Sequence, residues 1–287
     1  MATLPIRISP HKLFGYYIPL YLVLLFFAAL LLFPFIWLMS RSIMPYKDIF
    51  AVPTIWFPKT ITFVHFQNMF SLPQWPFGRY FMNTLLVTLG VIAGRVFSAS
   101  LVAFGFSRIR FPGRDALFLL VLSTMMIPFQ VVMIPTYILF NKLGWLNTLL
   151  PLIVPSFFGG GAFYIFLFRQ FIMTIPAELD DAARIDGCSR LGIYWNVIFP
   201  LMGPATVTVV VFSFLETWND FLHPLIFLTR AGTQTLALAL QQFVQVQFMQ
   251  AEMVFVVATV AMIPPLIIFF AGQRYFVEGM IMSGLKG

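Results

Sequence analysis

Two groups of residues carry most of the chemistry this chain could perform. The first is the run Glu178-Leu179-Asp180-Asp181-Ala182-Ala183-Arg184-Ile185-Asp186-Gly187, which crowds four acids and an arginine together. The second is Glu216, Trp218, Asn219 and Asp220, with Arg95 far upstream. Carboxylates beside an arginine, with no nucleophile and base at hand, are suited to gripping a partner rather than to bond making. The sequence has no Gly-x-x-x-x-Gly-Lys-Ser/Thr loop, so the chain is not expected to hydrolyse ATP itself. His11, His65 and His223 are too scattered to form a metal-ligand pair at helical spacing, and no cofactor is implied. Cys188 is the lone cysteine; it reads as a small packing residue. Nothing here makes the chain an enzyme on its own.

The surroundings of both groups are apolar. Hydrophobic residues make up 60% of the 287 and charged residues 9%, against roughly 25% charged in soluble domains. Six apolar runs stand out, at about 16–40, 81–106, 115–138, 151–172, 204–228 and 251–271. Their lengths favour helices over barrel strands. The expected fold class is therefore all-α: a polytopic membrane protein of six transmembrane helices, some kinked by Pro128, Pro135, Pro264 and Pro265. The first run is too long for a signal-peptide core and reads as a retained span. Arg7, Lys12, the short loop with Arg108, Arg110 and Arg114, the connection with Arg169, Arg184 and Arg190, and the tail with Arg274 and Lys286 all fall on one side. The other side carries Lys142, Arg230 and a long first loop with Arg41, Lys47, Lys59 and Arg79. The density of arginine in the shortest loop makes its side cytoplasmic, with both termini. The expected layout is a cytoplasmic segment 1–15, a membrane domain 16–272 and a cytoplasmic tail 273–287. The net charge of +7 fits such loops and calls for no nucleic acid.

The first group falls between spans four and five. The stretch TIPAELDDAARIDG reads as a short helix capped by Thr174, with Pro176 in its first turn. Asp180 and Arg184, four apart, can pair. Gly187 supplies the left-handed turn that ends the helix. Ser189 can cap a second helix, RLGIYWNVIF, closed by Pro200. Ala182 and Ala183 leave part of the first helix bare, so another surface can approach it closely. In the second group, a continuous helix over 204–228 puts Glu216 and Asp220 on one face, with Trp218 and Asn219 pointing elsewhere. An amide beside an aromatic ring suits a sugar; the alternative is hydrogen bonding between helices. Arg95, mid-span, reads as a pathway charge or as a structural residue bonded to carbonyls or a neighbouring acid. Gly159, Gly160 and Gly161 are expected to permit close packing, and His223 to lie toward the outer mouth.

Asp181-Ala182-Ala183, then Gly187, then Val197 and Phe199-Pro200, resembles the Glu-Ala-Ala ("EAA") loop of bacterial ABC importer permeases. The spacing matches throughout; Asp181, Val197 and Phe199 stand where that family has Glu, Ile and Leu. TWNDFLHPLIFLT (217–229), FSRIRFPGR (106–114), MIPFQVVMIPTYIL (126–139), LGWLNT (143–148) and the tail QRYFVEGMIMSGLKG (273–287) are similar to the maltose-type second permease of the carbohydrate branch.

The resemblance implies a type I importer permease fold whose loop, 174–203, forms coupling helices seated in an ATPase subunit. It places Glu178, Asp180, Asp181, Ala182, Ala183, Arg184, Asp186 and Gly187 at that coupling, and Trp218, Asn219 and Glu216 on the translocation path. The tail residues Arg274, Tyr275 and Glu278 would touch the ATPase or anchor at the membrane surface. The implied partners are a second permease subunit in a heterodimer, two copies of an ABC ATPase, a periplasmic or lipid-anchored sugar-binding protein, the sugar and membrane lipid. The implied location is the bacterial plasma (inner) membrane. The alternatives are a related importer of glycerol phosphate or polyol, and a self-sufficient secondary transporter or channel.

Overall fold

A computed structural model describes residues 10–71, 76–246 and 251–284. All its regular structure is helical; the described residues include no strand. The chain opens with α1 (Pro10–Ser42), followed by the short α2 (Tyr46–Ile49) and α3 (Val64–Ser71). The long α4 (Phe77–Arg108) comes next, then α5 (Arg114–Ser123) and α6 (Phe129–Lys142). After α7 (Leu150–Ile153) and α8 (Ala162–Ile172) come the small helices α9 (Glu178–Ile185), α10 (Arg190–Ile193) and α11 (Phe199–Leu201). The chain continues through α12 (Gly203–Trp218), α13 (Leu222–Phe227) and α14 (Leu236–Val246) to α15 (Ala251–Gly284). Among the described residues, four stretches are long and apolar enough to cross a membrane: Tyr17–Ser42, Phe77–Arg108, Leu150–Ile172 and Glu252–Gln273. The number rises to six if two bent pairs each count as one span, Arg114–Met126 with Phe129–Lys142 (95°) and Arg190–Leu201 with Gly203–Trp218 (75°).

Several expected helices are broken. The run 115–138 turns at a 3₁₀ segment, Thr124–Met126, just before Pro128. The residue before a proline is pushed out of the helical region, and Ile127 is extended (φ −83°, ψ 111°). In contrast, Pro135, Pro264 and Pro265 lie inside α6 and α15. The run 151–172 is interrupted at Gly159, Gly160 and Gly161, all with positive φ. The run 204–228 stops at Trp218 and restarts at Leu222. Pro200 does not close the helix that starts at Arg190, because helical backbone runs on to Leu201. A π turn over Tyr194–Ile198 widens the coil just ahead of the proline, which lacks the N–H and whose ring would crowd the carbonyl four residues back in an α-helix.

The described residues divide into two compact units, those within 1–69 and 247–259, and those within 70–246 and 260–287. In the first, Arg41 proves to be no loop charge: it lies in α1 and is buried. Its guanidinium sits 5.3 Å over the Trp37 ring and donates to the carbonyls of Ile49 and Asp48. Ser40 donates to the Trp56 carbonyl (3.0 Å), and the ring nitrogen Nε2 of His65 lies 3.1 Å from the Met44 carbonyl. These bonds organise the long first loop.

The second unit is built around α4. Its Gly90 and Gly94 lie against the 153–157 segment. Four residues apart on a helix, they form one bare strip that lets the two backbones approach. Of the three glycines at 159–161, only Gly160 meets a close neighbour, with a built Cβ 2.9 Å from Ala99 and 3.0 Å from the Arg95 Cα. Asn147, itself left-handed (φ 61°), clasps the end of α13. Its Oδ1 accepts from Thr229 N (2.7 Å), Thr229 Oγ1 (2.8 Å) and Arg230 N (2.9 Å).

Gly94→Ala would set a Cβ 2.1 Å from Ser156 Oγ and 2.9 Å from the Ser156 carbonyl carbon. It is expected to cost about 1–3 kcal/mol, read as a lower thermal midpoint of the detergent-purified chain. Gly105→Ala, at a helical site with nothing within 4 Å, serves as the control. It is expected to be neutral or to stabilise by up to about 1 kcal/mol.

Candidate functional site

The acidic run forms α9, whose two sides differ. Asp180 and Ala183 are buried, while Glu178, Asp181, Ala182, Arg184, Asp186 and Gly187 are exposed. The inner side joins the main core: Ala183 and Ile175 belong to one apolar cluster with Phe104, Phe168, Ile193 and Tyr194. The outer side ends in Ile185, which is 87% exposed.

The helix is not capped by Thr174, which donates instead to the Phe171 carbonyl at the end of α8 (2.7 Å). Its C-terminus is closed as expected by Gly187 (φ 82°). Gly187 N donates to the Arg184 carbonyl (3.0 Å) and Cys188 N to the Ala183 carbonyl (2.9 Å). That double bond pattern is the Schellman closure, in which a left-handed glycine returns the chain. Cys188 packs against the same core as Ala183, so its role here is packing. Ser189 caps α10, accepting from Gly192 N (3.1 Å).

The expected Asp180–Arg184 pair does not form. Arg184 bonds Asp181 instead (3.1 Å), on the exposed side. Asp180 points inward, and its Oδ2 lies 3.1 Å from Nε of Arg108, the last residue of α4. The N–H of that nitrogen is not aimed at the oxygen, and the Asp180 Oδ1 is buried without a hydrogen-bond partner. The contact is therefore electrostatic rather than a directed hydrogen bond. Burial pushes the Asp180 pKa up; Arg108 and Arg184 pull it down and Asp181 adds a smaller upward push. Arg108 also donates through Nη2 to the Ile175 carbonyl (2.7 Å), so one guanidinium holds both the approach to α9 and its first turn. Periodicity misleads here: i,i+4 spacing makes Asp180–Arg184 possible, but burial of the Ala183 side rotates Asp180 toward α4.

The second group resolves into a cluster from three helices. Arg95 of α4 makes a two-pronged ion pair with Glu216 of α12 (Nη1–Oε2 2.9 Å, Nη2–Oε1 3.0 Å). Tyr164 of α8 joins both: its hydroxyl donates to Glu216 Oε2 (2.6 Å) and accepts from Arg95 Nη1 (2.9 Å). The guanidinium also lies 4.5 Å over the Tyr164 ring. This matches the reading of Arg95 as bonded to a neighbouring acid. The Arg95 side chain is 16% exposed and that of Glu216 59%. Tyr164 escaped the sequence analysis because a tyrosine in an apolar run carries no pattern of its own. The signal in the sequence is the Gly90-Val91-Ile92-Ala93-Gly94 packing motif beside Arg95.

Glu216 and Asp220 do not share a helix face, since α12 ends between them. Asn219 closes it by donating from its side-chain amide to the Leu215 carbonyl (2.7 Å). Asp220 turns to His223, with Oδ2 2.9 Å from Nδ1. Asn219 is exposed. Trp218 is 3% exposed: its ring stacks on Phe214, meets Phe81 edge-on, and its indole N–H donates to the Ala261 carbonyl (3.0 Å). A ring covered in this way has no face left for a sugar, which corrects the expectation for Trp218. The side chains of Arg274, Tyr275 and Glu278 lie outside the described residues. Those residues hold no group of three or more His, Cys, Asp or Glu side chains placed to bind a metal.

The arrangement presents an exposed helix surface of charge with one isoleucine, and an ion-paired cluster drawn from three helices. Residues 86–282 match the family described as binding-protein-dependent transport system inner membrane component, and the chain belongs to that family. It is 31% identical over 264 residues to the arabinooligosaccharides transport system permease protein AraQ of Halalkalibacterium halodurans, covering 91% of this chain and 94% of that one. It is 32% identical over 263 residues to the lactose transport system permease protein LacG of Rhizobium radiobacter, covering 92% and 94%. The fold matches a chain from the crystal structure of a bacterial ABC transporter involved in the import of the acidic polysaccharide alginate. That match has a TM-score of 0.81 and 25% identity, and covers 95% of this chain and 100% of the other.

Tyr164→Phe removes one bond to each charged partner and keeps the ring. It is expected to cost about 2 kcal/mol, seen as a lower thermal midpoint in detergent. A midpoint equal to wild type would show that the hydroxyl contributes nothing to holding the cluster.

Proposed function

We propose that this chain is one membrane-spanning subunit of an ATP-driven importer of neutral oligosaccharides, coupled through α9 to a separate ATPase. The observation that carries the reading is the two-sidedness of α9. Its inner side is fastened into the core, while its outer side offers Ala182, the Asp181–Arg184 pair and the bare Ile185. Ile185 gives that charged side one apolar contact point for a partner surface. The spacing from Asp181 to Pro200 matches the loop that seats in the ATPase of related importers. The partners that follow are a second permease in a heterodimer, two copies of the ATPase and a sugar-binding protein that delivers cargo from outside. Positive-inside asymmetry supports a cytoplasmic side for α9, both termini and the tail 273–287.

Alternating access supplies the mechanism. Closure of the ATPase dimer draws the two coupling helices together and turns the cavity outward; hydrolysis and release turn it back. Glu216 and Asn219 are assigned to the translocation path, and Trp218 is left to packing. A carboxylate as exposed as Glu216 is too costly against lipid tails and must face water or a partner. Its charge already neutralises Arg95, so a uronate or phosphate finds no free cation at this cluster. That favours neutral sugars over alginate-like cargo and over glycerol phosphate.

The assembled complex in proteoliposomes, supplied with its binding protein and internal ATP, is expected to take up radiolabelled arabinotriose or lactose in preference to an alginate oligosaccharide. Uptake is expected to survive collapse of the proton and sodium gradients and to stop without ATP. Uptake driven by an ion gradient alone would overturn the reading. Asn219→Ala is expected to impair uptake without loss of assembly. The space around Gly187 is open, so Gly187→Val acts through backbone strain of about 1–2 kcal/mol. It is expected to reduce ATPase copurification while membrane insertion stays intact.

A further inference from the structure

We propose that Arg108 is a positioning residue for energy coupling: it ties α9 to the end of α4, so that displacement of α9 is delivered to α4 and along it to the Arg95–Tyr164–Glu216 cluster. The inference rests on the assignment of α9 as the ATPase-docking helix and adds the route by which its motion reaches the path.

The route follows from where α9 is attached. Of its eight residues only Asp180 and Ala183 are buried. Ala183 gives an apolar contact that can slide. Asp180 gives the polar one, and its partner is not on α8 or α10, the neighbours in sequence, but on α4, 72 positions earlier (180 − 108). Arg108 reaches the same segment twice, through Asp180 and through the Ile175 carbonyl. Both the Arg108 and Asp180 side chains are shielded, at 11% and 7% exposure. Water therefore screens the pair little.

α4 is a single helix from Phe77 to Arg108 with no interior proline. Arg95 stands thirteen residues before Arg108 on it, about 20 Å away at about 1.5 Å per residue. The helix thus carries one ion pair at its α9 end and another at the candidate path. Along the way Ser100 meets the Tyr194 hydroxyl (2.6 Å), which ties the π turn to the same rod. The contact to Asp180 leaves Oδ1 unpartnered, so the joint is held by charge and position more than by a saturated bond network. A polar joint of this kind can tilt without being rebuilt.

The test uses the complete assembly in proteoliposomes, with this chain, the partner permease, the ATPase and the binding protein, and radiolabelled arabinotriose and lactose as cargo. The ATP hydrolysed per sugar imported is measured. Arg108→Gln and the near-isosteric Asp180→Asn are each expected to keep the ATPase bound, because the outer side of α9 is untouched. Each is expected to raise the ATP-to-sugar ratio about tenfold. Arg108→Lys, which keeps the charge, is expected to recover part of the coupling. Asp181→Asn, on the outer side, is expected to weaken ATPase retention instead. A wild-type ratio in both Arg108→Gln and Asp180→Asn would overturn the proposal. So would loss of ATPase binding in step with transport, because the pair would then only shape the docking surface. Failure of the wild-type chain to retain the ATPase, or of Asp181→Asn and Gly187→Val to weaken that retention, would count against α9 as the docking helix. The ATP-to-sugar ratio in the Arg108 and Asp180 variants bears on the joint alone.

Discussion

A polar group buried in a membrane protein has to find its partner within the protein, because hydrocarbon offers none. That constraint organises the larger unit of this chain, and α4 is where it falls hardest. Asn83 donates to the carbonyls of Gly232 and Gln234, and Thr84 accepts from Leu236 N. Arg95 meets Tyr164 and Glu216. Ser98 donates to the Ser156 carbonyl, Ser100 meets Tyr194, and Arg108 meets Asp180 and Ile175. These polar side chains on α4 each call up a particular residue from elsewhere, while Thr88 stays unpartnered and Ser107 bonds its own helix. The apolar contacts around it, which are less directional, fill in between. Small residues make the close approach possible: Gly90 and Gly94 on α4, and Gly160 opposite Ala99.

Much of this was legible in the sequence. Hydropathy alone gives an all-helical membrane protein, and the turn at Gly187 follows from the one residue that takes a left-handed conformation without penalty. Ser189 as a cap follows from its chemistry. Arg95 with an acidic neighbour was foreseeable, because a lone charge in lipid is too expensive to leave alone. Other features were not legible, each for a physical reason. Asp180 was assigned to Arg184 because spacing along one helix is visible in sequence while the burial that turns Asp180 toward α4 is not. Trp218 was read as a sugar platform, since an exposed and a covered tryptophan look the same until the packing of Phe81 and Phe214 is known. The break after Trp218 was missed because Asn219 ends the helix with its own amide, a competition between side chain and backbone that apolar periodicity does not register.

The two ends of this chain's chemistry answer to different solvents. The outer side of α9 shows a mixed surface of charge and one bare isoleucine, the side assigned above to a partner. The Arg95–Tyr164–Glu216 cluster lies on three largely apolar helices, where a neutral, hydrogen-bonded trio costs less than its members unpaired. Both rely on arginine, and for the same reason: a planar fork can hold two acceptors at once without giving up its charge. At Arg95 the fork spans one carboxylate and shares a prong with a phenol. At Arg108 it donates to a backbone carbonyl and sets its charge beside a carboxylate.

The widened turn at Tyr194–Ile198 has a further consequence for how sequences like this one can change length. A helix advances by about 100° per residue. Loss of one residue from the π turn returns it to α geometry and is absorbed there, whereas loss of one within α12 ahead of Glu216 turns the rest of that helix by this amount and carries Glu216 away from Arg95. Length changes should therefore be purged within α12 and tolerated more freely at the π turn.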